Sequence, residues 1–473
     1  MRTLSLAGIG AAAFALTATS SFAGTESGSR SRFWDYYNPY PSNYIGSPEW
    51  LAGPTLLGDW WGVRNWLDDN GIEFSGSYTN NIAGNVTGGR DQGFTYCDNI
   101  LVGVALDLEK IAGWKGASIT VSGLNRDGSN LSQDYIGNQF TVQQVYGGSA
   151  VMLYELALEQ KLMEDKVSIK VGRFATGDDF ASSPLYWLYM NNGIDGNPQA
   201  LPVNSQFSAY PWAVWAARLK VQPTPEWTGQ LGIYQVSSRV FNRNYHGVDF
   251  SIRPDDGFLL ISQFGWSPEF FKREVPTNTT RDGKQVVDSK SVVDGKSTKS
   301  FKEPVEMKGL KGHYWFGVYW SPWSYPVIGG TPDQKAQNAY GFYWHADQMV
   351  FQEAPGSDQG LYLWSAFVLS PQQNIAKLPF EANFGLAYQG LIPTRDTDWT
   401  TFGFVYGNFS DQQPGANPGD PKPNYELVLE GGYKIQLTKF AFIQPDVQYV
   451  INPGGNPNIG NALVLGAQMG VTF

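Results

Sequence analysis

The stretch Asn461–Phe473, NALVLGAQMGVTF, decides how the rest of the chain is read. Leu463, Leu465, Ala467, Met469, Val471 and Phe473 fall on one parity, and Gly466, Gln468, Gly470 and Thr472 on the other. A period of two with one wholly apolar face is a β-strand, and such a face could equally pack on a soluble core. Termination on an aromatic at the edge of that face points instead to an outer-membrane barrel. There the last strand closes against the first, and an aromatic sits at the lipid headgroup level. Everything upstream should then supply more strands of this kind.

The opposite end agrees. Arg2 precedes an apolar run from Leu4 to Ala18, followed by the small residues of TSSFA, which suits cleavage after Ala23. The run holds about fifteen residues where a membrane helix wants about twenty, so residues 1–23 read as a signal peptide. Charged residues are only 16%, whereas there are 54 glycines and 15% aromatics, and mean hydropathy is −0.29. A barrel wall explains that mixture, with strands half lipid-facing and half wet, though a secreted β-helix or sandwich shares it. The chain has 33 basic residues, one of them Arg2, against 43 acidic ones, so the mature part carries about −11. This balance argues against nucleic acid as a partner. A single cysteine, Cys97, excludes an internal disulfide framework.

In chain order, residues 24–71 read as an irregular extension, expected on the periplasmic side. It closes with a short helix in LLGDWWGVRNWLDDNG, which Asp59 would cap and Gly71 would stop. Residues 72–473 read as the barrel. About sixteen strands start near Glu73, Phe94, Gly116, Gly147, Lys166, Pro211, Trp227, Gly257, Lys311, Asn338, Leu361, Glu381, Thr400, Asn424, Phe440 and Asn461. An even count puts both ends on one side, with short turns there and long loops opposite. The segment Glu269 to Leu310, with VVDSKSVVDGKS, breaks the pattern: it is either a disordered insertion or a sign that the count is off by one. The fold class is therefore all-β: a transmembrane antiparallel β-barrel of about 16 strands with a short N-terminal periplasmic helix.

Strand faces indicate the interior. In YELVLEGGYKIQL, Tyr425, Leu427, Leu429, Tyr433, Ile435 and Leu437 share one face, and Glu426, Glu430, Lys434 and Gln436 the other. A charge facing lipid near the midplane costs about 2 to 4 kcal/mol, so the charged face is the lumen. The same sorting puts Gln444, Asp446, Gln448, Arg218, Lys220, Glu155 and Glu159 inside. A lumen with both charges is wet, and in an outer membrane it is a pore. The loop from Ala175 to Tyr210 is too long for a hairpin and holds Asp178, Asp179, Tyr186, Trp187 and Tyr189. Folded inward, it would narrow the channel, with rings to stack on sugar faces and polar groups for hydroxyls. Alternatively, these aromatics only pack the loop against the wall.

The motifs LLGDWWGVRNWLDDNGIEFSGSYTNNIAGNVTGG, LDLEKIAGWKGASITVSGLNRDG, YELALEQKL with KVGRF, and FIQPDVQYVINPGG resemble the OprB family of carbohydrate-selective porins over nearly the whole mature chain. The resemblance implies a sixteen-stranded barrel in the Gram-negative outer membrane. It would pass monosaccharides such as glucose through a constriction of inward loops and charged lumen residues. By position it adds Arg173, Asp178 and Asp179 to the candidate residues. Departures lie around Thr277 to Lys302 and in the Asn- and Gln-rich loop Gly128 to Gln144. The partners implied are monosaccharides, outer-membrane lipid and lipopolysaccharide; a homo-oligomer is compatible with the pattern, which does not specify one.

Catalysis would need a nucleophile and base held together. The three histidines, His246, His313 and His345, sit in no recognisable catalytic or metal-ligand arrangement, so no enzyme, metal or cofactor is expected. The alternative function is a non-specific or ion-selective general diffusion porin, which a lumen ringed by one sign of charge would favour.

Overall fold

The computed structural model describes residues 33–38, 44–276, 305–415 and 417–473. The expected signal peptide and most of the charged insertion lie outside them. Sixteen strands run antiparallel in sequence order: β1 (Ile72–Gly89), β2 (Gly93–Asp107), β3 (Ala117–Gly128), β4 (Ala150–Leu162), β5 (Val167–Phe174), β6 (Val214–Thr224), β7 (Trp227–Val236), β8 (Gly257–Trp266), β9 (Val305–Ser321), β10 (Ala339–Gln352), β11 (Gly360–Leu369), β12 (Phe380–Gln389), β13 (Trp399–Asn408), β14 (Tyr425–Thr438), β15 (Ala441–Ile451) and β16 (Gly460–Thr472). β1 pairs with both β2 and β16, from Ser77 opposite Thr472 to Gly89 opposite Gly460, so the sheet closes on itself and leaves no barrel edge. The backbone N–H of Phe473 donates to Gly76 O at 2.8 Å, which fixes the terminal aromatic against β1.

Most strand starts fall within three residues of those expected. β9 is the largest exception, and its reason is the insertion. Glu269–Pro276 continues the line of β8 and pairs with Val305–Lys311, so the hairpin is extended beyond the wall while β8 and β9 remain neighbours. The segment thus leaves the strand count intact.

The outward faces are apolar. Ile169, Val171, Leu219, Leu231, Ile233, Phe264, Leu363, Phe402, Leu465 and their neighbours are exposed there, as a bilayer requires of a closed barrel. Aromatics gather toward both ends. Trp227, Trp266 and Tyr314 stack at the end that holds the termini, and Phe258 meets Trp320 at the other.

The N-terminal extension packs on the terminus end. Trp50 lies 5.1 Å from Phe440, Trp60 lies edge-on to Phe74 at 5.6 Å, and Arg64 donates to Phe74 O at 2.9 Å. The short helix is Val63–Asp69, later than an Asp59 cap implies. Its N-cap is Gly62 at φ +88°, and Asp59 contributes its backbone oxygen to the N–H groups of Gly62 and Arg64. A side chain at residue 62 would start 1.7 Å from Tyr36 O, which explains why glycine stands there.

At the opposite end two loops turn inward, residues 129–149 and 175–213. Phe140, Val142, Tyr186, Leu188, Tyr189, Met190, Ile194 and Leu201 form one buried cluster with wall residues Trp364, Val405, Val428, Val450 and Val464. The interior is therefore packed on the β10–β16 side by loop against wall.

Candidate functional site

The inner wall of β4, β5 and β6 carries a row of charge. Register places Glu159 opposite Lys170, and Lys170 opposite Arg218, so three ionised side chains sit side by side on three neighbouring strands. A shift in the β3–β4 register skips Tyr154, a β-bulge that turns both Tyr154 and Glu155 toward the interior. Lys170 Nζ then reaches Glu155 Oε1 at 2.7 Å, and Arg218 Nη2 reaches Glu159 Oε1 at 3.0 Å. Ser168 Oγ donates to Glu159 and accepts from Arg218 Nη1 at 2.6 Å.

The second inward loop closes on this row. After β5 the chain forms one short helical turn, Thr176–Asp179, that aims both carboxylates back at the wall. Arg218 Nε reaches Asp179 Oδ1 at 3.1 Å, Tyr154 OH donates to Asp178, and Gln230 Nε2 holds Asp179 O at 3.0 Å. Glu155, Glu159, Asp178, Asp179 and Arg218 thus come together as one cluster, with Lys220 on the same face opposite Ser168. Glu159 keeps 29% of its side chain exposed, Lys170 13% and Arg218 5%, so the patch is reachable mainly through its carboxylates. The cluster carries hydrogen-bond donors and acceptors of both signs on one interior surface.

Glu430, Asp446 and Gln448 point inward as their parity requires, but on β14 and β15 Glu430 and Gln448 hold loop backbone and Asp446 accepts from Gln448. Glu430 accepts from Met190 N at 2.5 Å and Asn191 N at 3.1 Å. Gln448 accepts from Asn191 Nδ2 at 2.9 Å, and donates to Val142 O at 3.1 Å and to Asp446 Oδ1 at 2.9 Å. Two further wall carboxylates do the same. Glu426 takes Gln139 N and Phe140 N, each at 2.7 Å, and Glu381 takes Gln199 N at 3.0 Å and Ala200 N at 2.5 Å. All are at most 3% exposed. Buried N–H groups of an inward loop need acceptors, and carboxylates on a rigid wall supply two each.

The loop aromatics divide. Tyr189 is fully buried, its hydroxyl 3.0 and 3.1 Å from Leu386 O and Phe402 O, between which its single proton is shared. Tyr186 meets His345 Nδ1 at 2.7 Å, His345 Nε2 meets Asp347 at 2.9 Å, and Asp347 also meets His313 Nδ1 at 2.8 Å. These rings pack the loop to the wall. Trp187, between buried Tyr186 and Leu188, stays half-buried.

Arg173 is placed elsewhere. In VSIKVGRF, Val167, Ile169 and Val171 face outward, and Arg173 shares their parity. It lies over the barrel exterior and donates to Asp249 O at 2.6 Å and Ala213 O at 3.0 Å, with Phe250 beneath its guanidinium. The inward cation of this strand is Lys170, which alternation alone already distinguishes.

The comparisons with known proteins agree with this architecture. Porin B of Pseudomonas aeruginosa is 26% identical over 452 residues, covering 88% of this chain and 91% of its own. The putative porin QuiX of Acinetobacter baylyi is 25% identical over 445 residues, covering 88% and 93%. The high-pH structure of Pseudomonas putida OprB superposes with a TM-score of 0.75 at 25% identity, over 89% of this chain and 99% of that one. Its low-pH structure gives 0.55 at 21%. The family model "Carbohydrate-selective porin, OprB family" matches residues 91–473. With a closed sixteen-stranded barrel, an apolar exterior and a charged interior, this chain belongs to the OprB family of carbohydrate-selective porins of the outer membrane.

Proposed function

We propose that the barrel passes monosaccharides, glucose among them, by passive diffusion, and that selection occurs where the Thr176–Asp179 turn faces the Glu155, Glu159, Lys170, Arg218 and Lys220 wall. The observation that carries this reading is the ion-paired contact of Arg218 with both Asp179 and Glu159, which places alternating donors and acceptors along one interior surface. A sugar exchanges its water hydrogen bonds for these in turn. Net affinity stays low because Glu155, Glu159, Lys170, Asp178, Asp179 and Arg218 already have protein partners, and weak sites are what flux requires. Trp187, half-buried on the same loop, supplies a ring for the apolar face of a pyranose. In this reading residues 1–23 are the cleaved signal peptide and 24–71 the periplasmic extension.

The test is swelling of liposomes containing the mature chain, compared for glucose, an amino acid of the same size and a disaccharide. Glucose influx faster than its size predicts, lost when Asp178 and Asp179 are changed to Asn, supports the assignment. Influx ordered by size alone would leave a general diffusion porin and remove the selectivity.

A further inference from the structure

Residues 237–256, between β7 and β8, do not fold into the barrel mouth. From His246 to Ser251 they meet β4 edge-on and then run over the outside of β5, β6 and β7 in succession. Leu153 N on β4 donates to His246 O at 2.9 Å, and Arg173 on β5 donates to Asp249 O at 2.6 Å. Trp215 Nε1 on β6 donates to Phe250 O at 2.9 Å, and Gln235 Nε2 on β7 donates to Ser251 O at 3.3 Å. Arg173, Trp215 and Gln235 all have outward parity, so the strap lies on the exterior. Arg239 fastens it, reaching Asp249 at 2.6 Å and Asp256 at 2.8 Å.

The strap is amphipathic at period two. Asp249 and Ser251 turn to Arg239, while Val248 and Ile252 are exposed by 54% and 72%, and Phe250, 42% exposed, spreads over Arg173 and Trp215. Its level on the wall gives those side chains a partner. At a rise of ~3.3 Å per residue and a tilt of ~40°, Val167 to Val171 on β5 covers only ~10 Å of a lipid-facing belt ~25 Å tall. The next outward position is Arg173, which the strap covers. Flanking positions in the same cross-strand row are apolar: Leu156, opposite Arg173 on β4, is exposed, and Phe258, directly opposite Gln235, packs on Trp320.

We propose that the strap is a lipid-contacting surface. Val248, Phe250 and Ile252 complete the apolar belt over the short strands β5 to β7 and pack against acyl chains of the outer leaflet. The occupant follows from continuity with the exposed belt below and from the alternation that turns both polar residues between 248 and 252, Asp249 and Ser251, inward to Arg239.

Spin labels at V248C and I252C test this in liposomes, Cys97 being fully buried and so unreactive. References are I169C in the belt and D255C in water. The expected result is collision with oxygen in excess of a water-soluble nickel chelate, matching I169C. Accessibility to the chelate matching D255C would overturn the proposal. So would dipolar broadening between labels, which would place a second copy of the chain on the strap. As a check independent of labelling, V248D with I252D should lower the temperature at which the folded, heat-modifiable band is lost in liposomes. An unchanged temperature would also refute it.

Discussion

Replacing Glu430 by alanine should release the second inward loop without opening the barrel. The carboxylate accepts from the backbone N–H groups of Met190 and Asn191 at 2.5 and 3.1 Å and is 1% exposed. Each buried donor left without an acceptor costs about 1 to 3 kcal/mol, so the docked loop loses about 2 to 6 kcal/mol. Even the lower end raises the population of a displaced loop about thirtyfold, since about 1.4 kcal/mol is a factor of ten. The sixteen-strand ladder is untouched, because the side chain bonds to no wall backbone. Single-channel recording in planar bilayers should therefore show larger and noisier conductance, and the preference for glucose over an amino acid of equal size should shrink. Glu430→Gln keeps one acceptor oxygen and should fall between the two. If E430A folds, as heat-modifiable mobility would report, yet has the conductance, noise and solute preference of the parent, the loop does not depend on this clamp and the reasoning fails.

Three further outcomes are expected. Neutralising Asp178 and Asp179 to Asn removes two negative charges from beside Lys170 and Arg218, so the reversal potential in a salt gradient should move toward anion preference; an unmoved potential would take the cluster out of the conduction path. Arg173→Met should leave conductance unaltered and instead loosen the exterior strap, seen as faster motion of a label at residue 252, because its hydrogen bond to Asp249 O and the stacking of its guanidinium on Phe250 are lost. Acid should do the same. Partial burial pushes the Asp256 carboxyl up, but Arg253 N–H, Ser237, Arg239 and Gln235 outweigh it and hold it down at about 2. A depressed carboxyl stabilises above its free value of about 3.9 and loses that contribution as pH falls toward 2. Strap motion should accordingly be constant from pH 7 to 5 and rise below 4; a label equally mobile throughout would show that the clamp holds nothing.

The fold was legible because a barrel strand states its own facing. Alternation in β14 and β15 turns Glu430, Asp446 and Gln448 inward, since a charge on lipid near the midplane costs about 2 to 4 kcal/mol. What those residues do was not legible. A lumen carboxylate facing water and one gripping a loop N–H have the same parity, and the difference lies in Met190 and Asn191, some 240 positions away in sequence. Arg173 is the converse case. Its strand pattern turns it outward, and only its place in the KVGRF motif points to the pore. Lys170, on the inward parity of the same strand, is the cation that alternation marks. The bulge that brings Tyr154 and Glu155 to one face leaves no local mark, because it is a property of β4 pairing with β3 rather than of β4 alone.

The two halves of the interior answer different requirements. On the β10–β16 side the wall must hold loops still, and it does so with fully buried carboxylates, amides and aromatic rings whose partners are protein. Packing there is close: a methyl group at Gly407 would meet the Phe140 ring at 2.5 Å, and glycine is what lets the loop aromatic seat against β13. On the β4–β6 side the charges pair with one another and stay partly exposed, so they remain available to a passing solute. Rigidity on the first side is a condition for selectivity on the second. Asp178 and Asp179 belong to the same loop as Met190 and Asn191, and a shift at the clamp displaces the carboxylates that face Arg218. Solute preference should therefore respond to residues that no sugar touches, and Glu430 is the most direct of them.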